Sequence, residues 1–111
     1  MFARDHPGEF ELMILLSVIR LGDNAYGVPI SRELLLTTGR DAALGSVYAA
    51  LERLEKKGFV SSNLGDPTPE RGGRAKRYFR ATAKGIKSAR ASKRAFTSLW
   101  SGIAQLEGER T

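Results

Sequence analysis

The 111-residue chain contains no cysteine and only one histidine, His6, close to its N-terminus. The lack of cysteine excludes a disulfide framework, a thiolate zinc site and a cysteine nucleophile. The chain also has no Gly-rich phosphate loop with a lysine, and its residues offer no nucleophile and base to pair. The sequence therefore predicts no catalytic residue, no metal site and no cofactor, and it argues against an enzyme.

Long apolar runs are absent as well. The longest covers 12–16 and resumes at Val18, far short of the roughly 18–20 residues that a membrane span needs. The first nine residues lack the charged start, apolar stretch and cleavage site of a signal peptide. We therefore expect a cytoplasmic protein without a membrane partner. A hydrophobic content of 41% is typical of one small globular domain rather than of a disordered chain.

The spacing of apolar residues and turn formers predicts three helices, a hairpin and a last long helix. This order is typical of a winged helix-turn-helix, here residues 1–82 with the wing at about 60–82, followed by a C-terminal dimerisation helix in 83–111. The fold class is thus mainly α with a small β-hairpin. The predicted helices cover 10–21, 44–57 and 84–106, together with a second helix that begins between residues 25 and 28 and ends at about 38. The predicted strands, 59–64 and 76–82, flank a turn-rich loop.

The first predicted helix is apolar on nearly every side. Such a helix must be covered on more than one face, so one face can pack on its own domain and another on a partner. A central core helix explains the same pattern. Both interpretations stay open at this point.

The third predicted helix has two distinct faces. Val47, Ala50, Leu51 and Leu54 recur at core spacing, and the opposite face begins with small residues and continues with basic ones. In a winged helix-turn-helix this helix enters the DNA major groove, where small residues allow a close approach. A capped turn and a structural tyrosine are the alternatives for its first residues. The candidate DNA-binding residues are Gly45, Ser46, Tyr48, Ala49 and Arg53.

From Arg71 to Leu106 the chain carries no acidic residue. A basic stretch that begins in a hairpin tip is suited to tracking phosphates, with Arg71 or Arg74 in the minor groove. The alternative, a solvated basic surface, is our interpretation of Lys87–Arg94. Glu52 and Glu55 are interpreted as surface charges near the basic residues of their own helix.

Apolar residues of the last helix form a seam that resembles a coiled coil. Phe96, Leu99, Trp100 and Ile103 have little left to cover them in so short a chain. A symmetric homodimer would cover them and would place two recognition helices roughly 34–36 Å apart, which matches a pseudo-palindromic double-stranded DNA site.

Four segments resemble the PadR-like transcriptional regulators. They are residues 10–21, AYGVPI at 25–30, LGSVYAALERLEKKGFV at 44–60 and GGRAKRYFRATAKG at 72–85. The resemblance implies a winged helix-turn-helix dimer, usually a repressor, with a C-terminal helix for dimerisation. The single long last helix is similar to the short-form members.

By position, Gly45, Ser46 and Tyr48 match the Gly-x-x-Tyr signature of the family's recognition helix. Ala81 and Pro29 depart from the family's usual residues; we expect the fold to be unaffected and the second helix to start slightly differently. The family's basic and aromatic wing strand is matched by Lys76, Arg77, Tyr78 and Phe79.

Some family members bind planar aromatic effectors between subunits, and Phe96 with Trp100 offers such a stacking surface. The alternative is that both rings belong to the dimer core. For the whole chain, a homodimeric DNA-binding repressor is the leading hypothesis. A winged-helix module that docks an acidic protein partner is the alternative, because a fold alone does not determine function.

Overall fold

A computed structural model of the chain describes residues 6–65 and 76–107, and its elements follow the predicted order. A short 3₁₀ turn, Gly22–Asn24, separates the first two helices. The mainly α fold with a two-stranded hairpin and a long C-terminal helix is confirmed. Its elements are α1 (Glu9–Leu21), α2 (Gly27–Thr38), α3 (Leu44–Lys56), β1 (Val60–Leu64), β2 (Arg77–Ala81), α4 (Ala83–Trp100) and α5 (Ala104–Glu107).

The core lies where α1, α2 and α3 pack against one another. Apolar side chains from each helix are fully buried there, and Phe59, which directly precedes the hairpin, belongs to the same core. The predicted core face of α3 is confirmed, since its four apolar residues are all buried. Buried apolar area of this kind is the main source of stability in a small domain. The residues of this core that are exposed by less than 2% include Ile14, Leu15, Val18, Ile30, Leu34, Val47, Leu51 and Leu54.

Local signals in the sequence position the ends of α2 correctly. Pro29 lies in the first turn, where a missing N–H costs no helical hydrogen bond. Gly39 follows the last helical residue with φ +78°, a left-handed conformation that glycine adopts without strain. The departure at Pro29 therefore leaves the helix intact.

The hairpin is attached to the helices through its second strand. β1 and β2 pair antiparallel, with Ser62 opposite Phe79. Phe79 is 5% exposed, and its backbone N–H donates to the carbonyl of Ala25 over 2.8 Å. The N–H of Thr82 donates to the carbonyl of Phe59 in the same way. The base of the wing is thus part of the folded body.

Helix α1 is a core helix with a second apolar side that the described chain leaves uncovered. Ile14, Leu15 and Val18 are buried, whereas Leu16 and Ile19 are 44% and 38% exposed. A shallow apolar groove between α1 and α2 runs along these exposed residues. The core interpretation is confirmed for one side, and the partner interpretation stays a prediction for the other.

Helix α4 is capped at its N-terminus and ends earlier than predicted. The hydroxyl of Thr82 accepts the N–H of Gly85 at 3.0 Å and so caps the first turn. The prediction of one helix up to Leu106 was wrong, because Gly102 adopts φ +85° and the chain turns before α5. Ile103 therefore lies beyond the end of α4 and not in one continuous seam with Phe96.

The first half of α4 packs closely on the body. Gly85 is buried, as are Ser88 and Ser92, and α4 contacts α1 and β2. Within residues 6–65 and 76–107, no helix combines the length and the hydrophobicity required to cross a membrane.

We predict that Gly85→Ala destabilises the fold. A Cβ at this position would collide with the backbone carbonyl of Phe59, which a side-chain rotation cannot relieve. We expect the free energy of unfolding to fall by about 2 kcal/mol or more, as measured by urea unfolding. The matched control is Gly45→Ala, where a Cβ meets nothing within 4 Å. Equal stability of the two variants would contradict the close α4 packing.

Candidate nucleic-acid interface

The outward face of α3 begins with small, exposed residues. Gly45, Ser46 and Ala49 are all exposed, and Tyr48 is 41% exposed at their side. A Cβ on Gly27 would collide with the Tyr48 hydroxyl, so the end of this ring lies against the first residue of α2. The side chain therefore packs on the body while staying accessible, and its contact with DNA remains a prediction.

Arg53 does not extend freely from α3. Its Nε donates to Oε2 of Glu11 at 2.7 Å, and Nζ of Lys57 donates to Oε1 of the same carboxylate at 2.8 Å. The Arg53 side chain is 52% exposed and the Glu11 side chain 11%. The sequence analysis assigned Arg53 to the free outward face, whereas the structure pairs it with α1.

Glu11 remains ionised in this arrangement. Burial by itself would raise the pKa of Glu11, but hydrogen bonds from Lys57 and Arg53, together with the positive charge of Lys57, outweigh it. The pKa of Glu11 is therefore lowered from its ordinary value of 4.5. The sequence analysis missed this residue, and its signal in the sequence was a glutamate directly before the apolar run 12–16.

At the base of the wing, two predicted site residues meet Tyr26. Nζ of Lys76 lies 4.3 Å from the centre of the Tyr26 ring and 3.3 Å from its hydroxyl. The ring of Tyr78 meets Tyr26 edge to face, with 5.3 Å between ring centres. Tyr26 immediately precedes α2, so Lys76 and Tyr78 lie beside the first turn of that helix. The sequence analysis gave Tyr26 no place in the interface.

Arg77 joins the wing to the end of α3. Its Nε donates to Oγ of Ser62 at 3.1 Å, and that hydroxyl donates to Oε2 of Glu55 at 2.7 Å. A terminal nitrogen of Arg77 lies 3.6 Å from the second oxygen of Glu55. Glu55, which the sequence analysis interpreted as a surface charge near the basic residues of its own helix, thus also pairs with the hairpin.

Arg71 and Arg74, the predicted contacts of the wing tip, lie outside the described residues. Among the residues that are described, no three His, Cys, Asp or Glu side chains come together in a way that could hold a metal ion.

The second half of α4 exposes large apolar side chains. Phe96, Leu99 and Trp100 are 61%, 72% and 57% exposed, and Ile103 beyond the helix end is 38% exposed. Phe96 and Trp100 line one shallow cavity with Thr97. The structure therefore brings these two rings together one helical turn apart.

A comparison with protein families complements this geometry. The model of the transcriptional regulator PadR-like family matches residues 15–91, which is more than half of the chain. The chain belongs to the PadR-like family. The resemblance inferred from the four sequence segments is therefore confirmed. Proteins of this family are transcriptional regulators.

Solved structures of transcriptional regulators have a similar fold. A transcriptional regulator from Clostridium thermocellum is 28% identical, with 80% of this chain and 81% of that chain covered and a TM-score of 0.67. A PadR family regulator from Clostridium difficile is 21% identical, with 88% and 97% covered and a TM-score of 0.71. A PadR family regulator from Eggerthella lenta is 23% identical, with 87% and 82% covered and a TM-score of 0.67. Among curated proteins, none matches the chain.

We predict that Glu11→Gln lowers the stability of this PadR-like domain by about 1–2 kcal/mol at pH 7, because the variant loses a charged acceptor for two cations. The folded state holds the pKa of Glu11 below 4.5, so the stabilisation exists above that pH and is lost as the pH falls through the folded pKa. The difference between wild type and variant should therefore shrink below about pH 4.5. Urea unfolding of both proteins at a series of pH values measures this difference in the free energy of unfolding.

The matched control is Glu52→Gln, which removes one acidic residue from the exposed side of α3. Its unfolding free energy should follow wild type at every pH. A Glu11→Gln variant that parallels wild type down to acidic pH would refute the ion-pair assignment.

Proposed function

We propose that this PadR-like protein is a sequence-specific DNA-binding transcriptional regulator that acts as a homodimeric repressor in the cytoplasm. The observation that carries the proposal is the exposed, small-residue start of α3, with Gly45, Ser46 and Ala49 on one face. Small residues let a helix approach the floor of the major groove, and the Ser46 hydroxyl can donate to a phosphate or a base edge.

Basic residues of the wing supply contacts on either side of this helix. In the proposed complex Lys76 and Tyr78 contact the DNA backbone beside α2, and Arg71 and Arg74 follow the minor groove. Arg53 and Arg77 already pair with Glu11 and Glu55. We therefore propose that these two arginines orient α3 and the wing, and contact phosphates only with their remaining N–H groups.

A homodimer is supported by the uncovered apolar side chains. Phe96, Leu99 and Trp100 on α4, together with Leu16 and Ile19 on α1, have little cover within the described chain. A second copy would bury both surfaces through one two-fold axis, and such an isologous interface generates a pseudo-palindromic operator. Ile103 would add to the interface from beyond the end of α4.

The same interface is the proposed place for a small aromatic effector. Phe96 and Trp100 line one cavity, and aromatic rings favour stacked or edge-to-face contacts with a planar ligand. In the absence of an effector, the two rings serve as dimer core. We assign no catalytic residue and no cofactor to the protein.

The proposed function makes two predictions, and the first is that the protein selects a pseudo-palindrome from genomic fragments, with half-sites about one helical turn apart. A salt titration on the best fragment should give a steep negative slope of log affinity against log salt. Arg74→Ala should weaken binding on all sequences and reduce that slope, whereas substitutions at Ser46 or Ala49 should alter the preferred sequence.

Recovery of the library without enrichment would contradict the operator proposal. Binding that ignores both sequence and salt, combined with retention of one defined protein partner, would instead favour a module that docks an acidic protein. An unchanged affinity and slope in Arg74→Ala would remove the wing tip from the interface.

The second prediction concerns the dimer. Replacing Phe96 and Trp100 by alanine should raise the dimer dissociation constant at least about thirty-fold, because large aromatic side chains dominate the energy of such interfaces. Sedimentation equilibrium measures the constant, and Arg90→Ala on the same helix is the control. A wild-type protein that sediments as a monomer at micromolar concentration would rule out the homodimer.

A further inference from the structure

We propose that a cavity beside the start of α3 binds one phosphate of the DNA backbone and that Arg40 supplies its charge. The inference rests on the proposed DNA-binding function and adds a residue to it. The cavity has a volume of about 420 Å³ and lies between α1, the α2–α3 connection and the first turns of α3. Its lining includes the side chains of Phe10, Arg40, Asp41, Ser46, Ala49 and Arg53.

Arg40 is held in place without using its charge. Its guanidinium carbon lies 4.6 Å from the centre of the Phe10 ring, and one terminal nitrogen lies 3.8 Å from the sulfur of Met13. The backbone N–H of Arg40 donates to the Thr38 hydroxyl at 3.1 Å. An aromatic ring and a thioether orient a guanidinium but do not neutralise it.

No carboxylate of the residues in 6–65 and 76–107 lies within 4.0 Å of the Arg40 guanidinium. In this respect Arg40 differs from Arg53, whose Nε is bound to Glu11. A positioned guanidinium without an acidic partner is suited to bidentate binding of a phosphate. Arg40 is therefore the cation of this lining whose whole guanidinium is available to an anion.

Arg53 forms the opposite part of the lining. Glu11 occupies its Nε, and a guanidinium carries five N–H donors, so the terminal groups remain for a ligand. Lys57 balances the second oxygen of Glu11. The ion pair thus fixes the position of Arg53 while leaving part of its donor capacity to the cavity.

Asp41 also lines the cavity, and its carboxylate limits the charge of the ligand. With Glu11 and Lys57 cancelling, two arginines and Asp41 leave one positive charge in excess. A phosphodiester carries one negative charge, which fits this balance. The beginning of α3 adds the positive end of a helix dipole on the same side.

The position of the cavity favours the DNA backbone as the source of the phosphate. Ser46 and Ala49, the exposed face proposed for the major groove, form one side of its lining. A phosphate in the cavity would therefore lie at the edge of the groove that α3 enters. A small molecule that carries a phosphate would offer the same chemistry, and the experiments below distinguish it from DNA as the ligand.

The test compares Arg40→Gln with Arg90→Gln, which removes the same charge from an exposed position on α4. Fluorescence anisotropy with the selected operator over a salt series measures affinity and slope. We expect Arg40→Gln to weaken binding about ten-fold or more and to reduce the slope by about 0.9 for each phosphate lost, with sequence preference unchanged. Arg90→Gln should stay close to wild type. Thermal unfolding verifies that both variants are folded.

Asp41→Asn provides a second variant with the opposite expectation. Removing the carboxylate from the lining should tighten operator binding several-fold, because repulsion of the phosphate is lost. This gain does not depend on the contact between Arg40 and Phe10. A loss of affinity in Asp41→Asn would overturn the assignment of the cavity.

The failure of this inference is distinguishable from failure of the proposed function. An operator bound by wild type, with Arg40→Gln indistinguishable from Arg90→Gln, would overturn the phosphate site alone. A wild-type protein that enriches no operator would overturn both. A last measurement titrates inorganic phosphate into DNA-free protein and follows the NMR signal of the Ser46 amide. Saturable shifts at micromolar phosphate, combined with no effect of Arg40→Gln on DNA binding, would assign the site to a small molecule instead.

Discussion

The Glu11 carboxylate is the constraint on which the arrangement of the other elements depends. A side chain that is 11% exposed at the contact of two helices must satisfy its charge, and it does so with Arg53 on α3 and Lys57 directly after that helix. Hydrophobic packing alone allows a helix to rotate or slide at a modest cost, whereas hydrogen bonds to a charged group are directional. This ion pair therefore sets the rotation of α3, with the apolar side inward and the small residues outward.

The base of the wing is held in a fixed position relative to α3 because it contacts both α3 and a residue just before α2. Glu55 at the end of α3 reaches Arg77 on β2, and Phe79 inserts its ring into the core while its N–H bonds Ala25 before α2. Arg77 and Phe79 are two residues apart, so their side chains lie on the same face of β2, and the guanidinium carbon of Arg77 is 6.0 Å from the centre of the Phe79 ring. Helix α3 and the base of the wing are thus joined by side-chain contacts as well as by the chain between them.

Periodicity and local signals predict most of this fold from the sequence. The apolar spacing of α3, the stop at Gly39 and the cap at Thr82 depend on neighbouring residues, so they can be read directly. The pairing of Glu11 with Arg53 cannot be predicted in this way, because 42 residues separate the two and either side chain can face solvent in an isolated helix. The break at Gly102 was missed for a related reason, since an interior glycine costs only ~1 kcal/mol and tertiary context decides whether the helix continues.

The small residues along the first half of α4 have a mechanical consequence. Gly85, Ser88 and Ser92 bring that half close to the body, while the half that ends at Trp100 extends without apolar cover in the described chain. At 1.5 Å per residue the whole helix is ~27 Å long. In the proposed homodimer, the ends of two such helices would meet at the interface. A small change in the angle between them would then produce a larger change in the distance between the two α3 helices, because the rest of each subunit is fixed to the other end of α4.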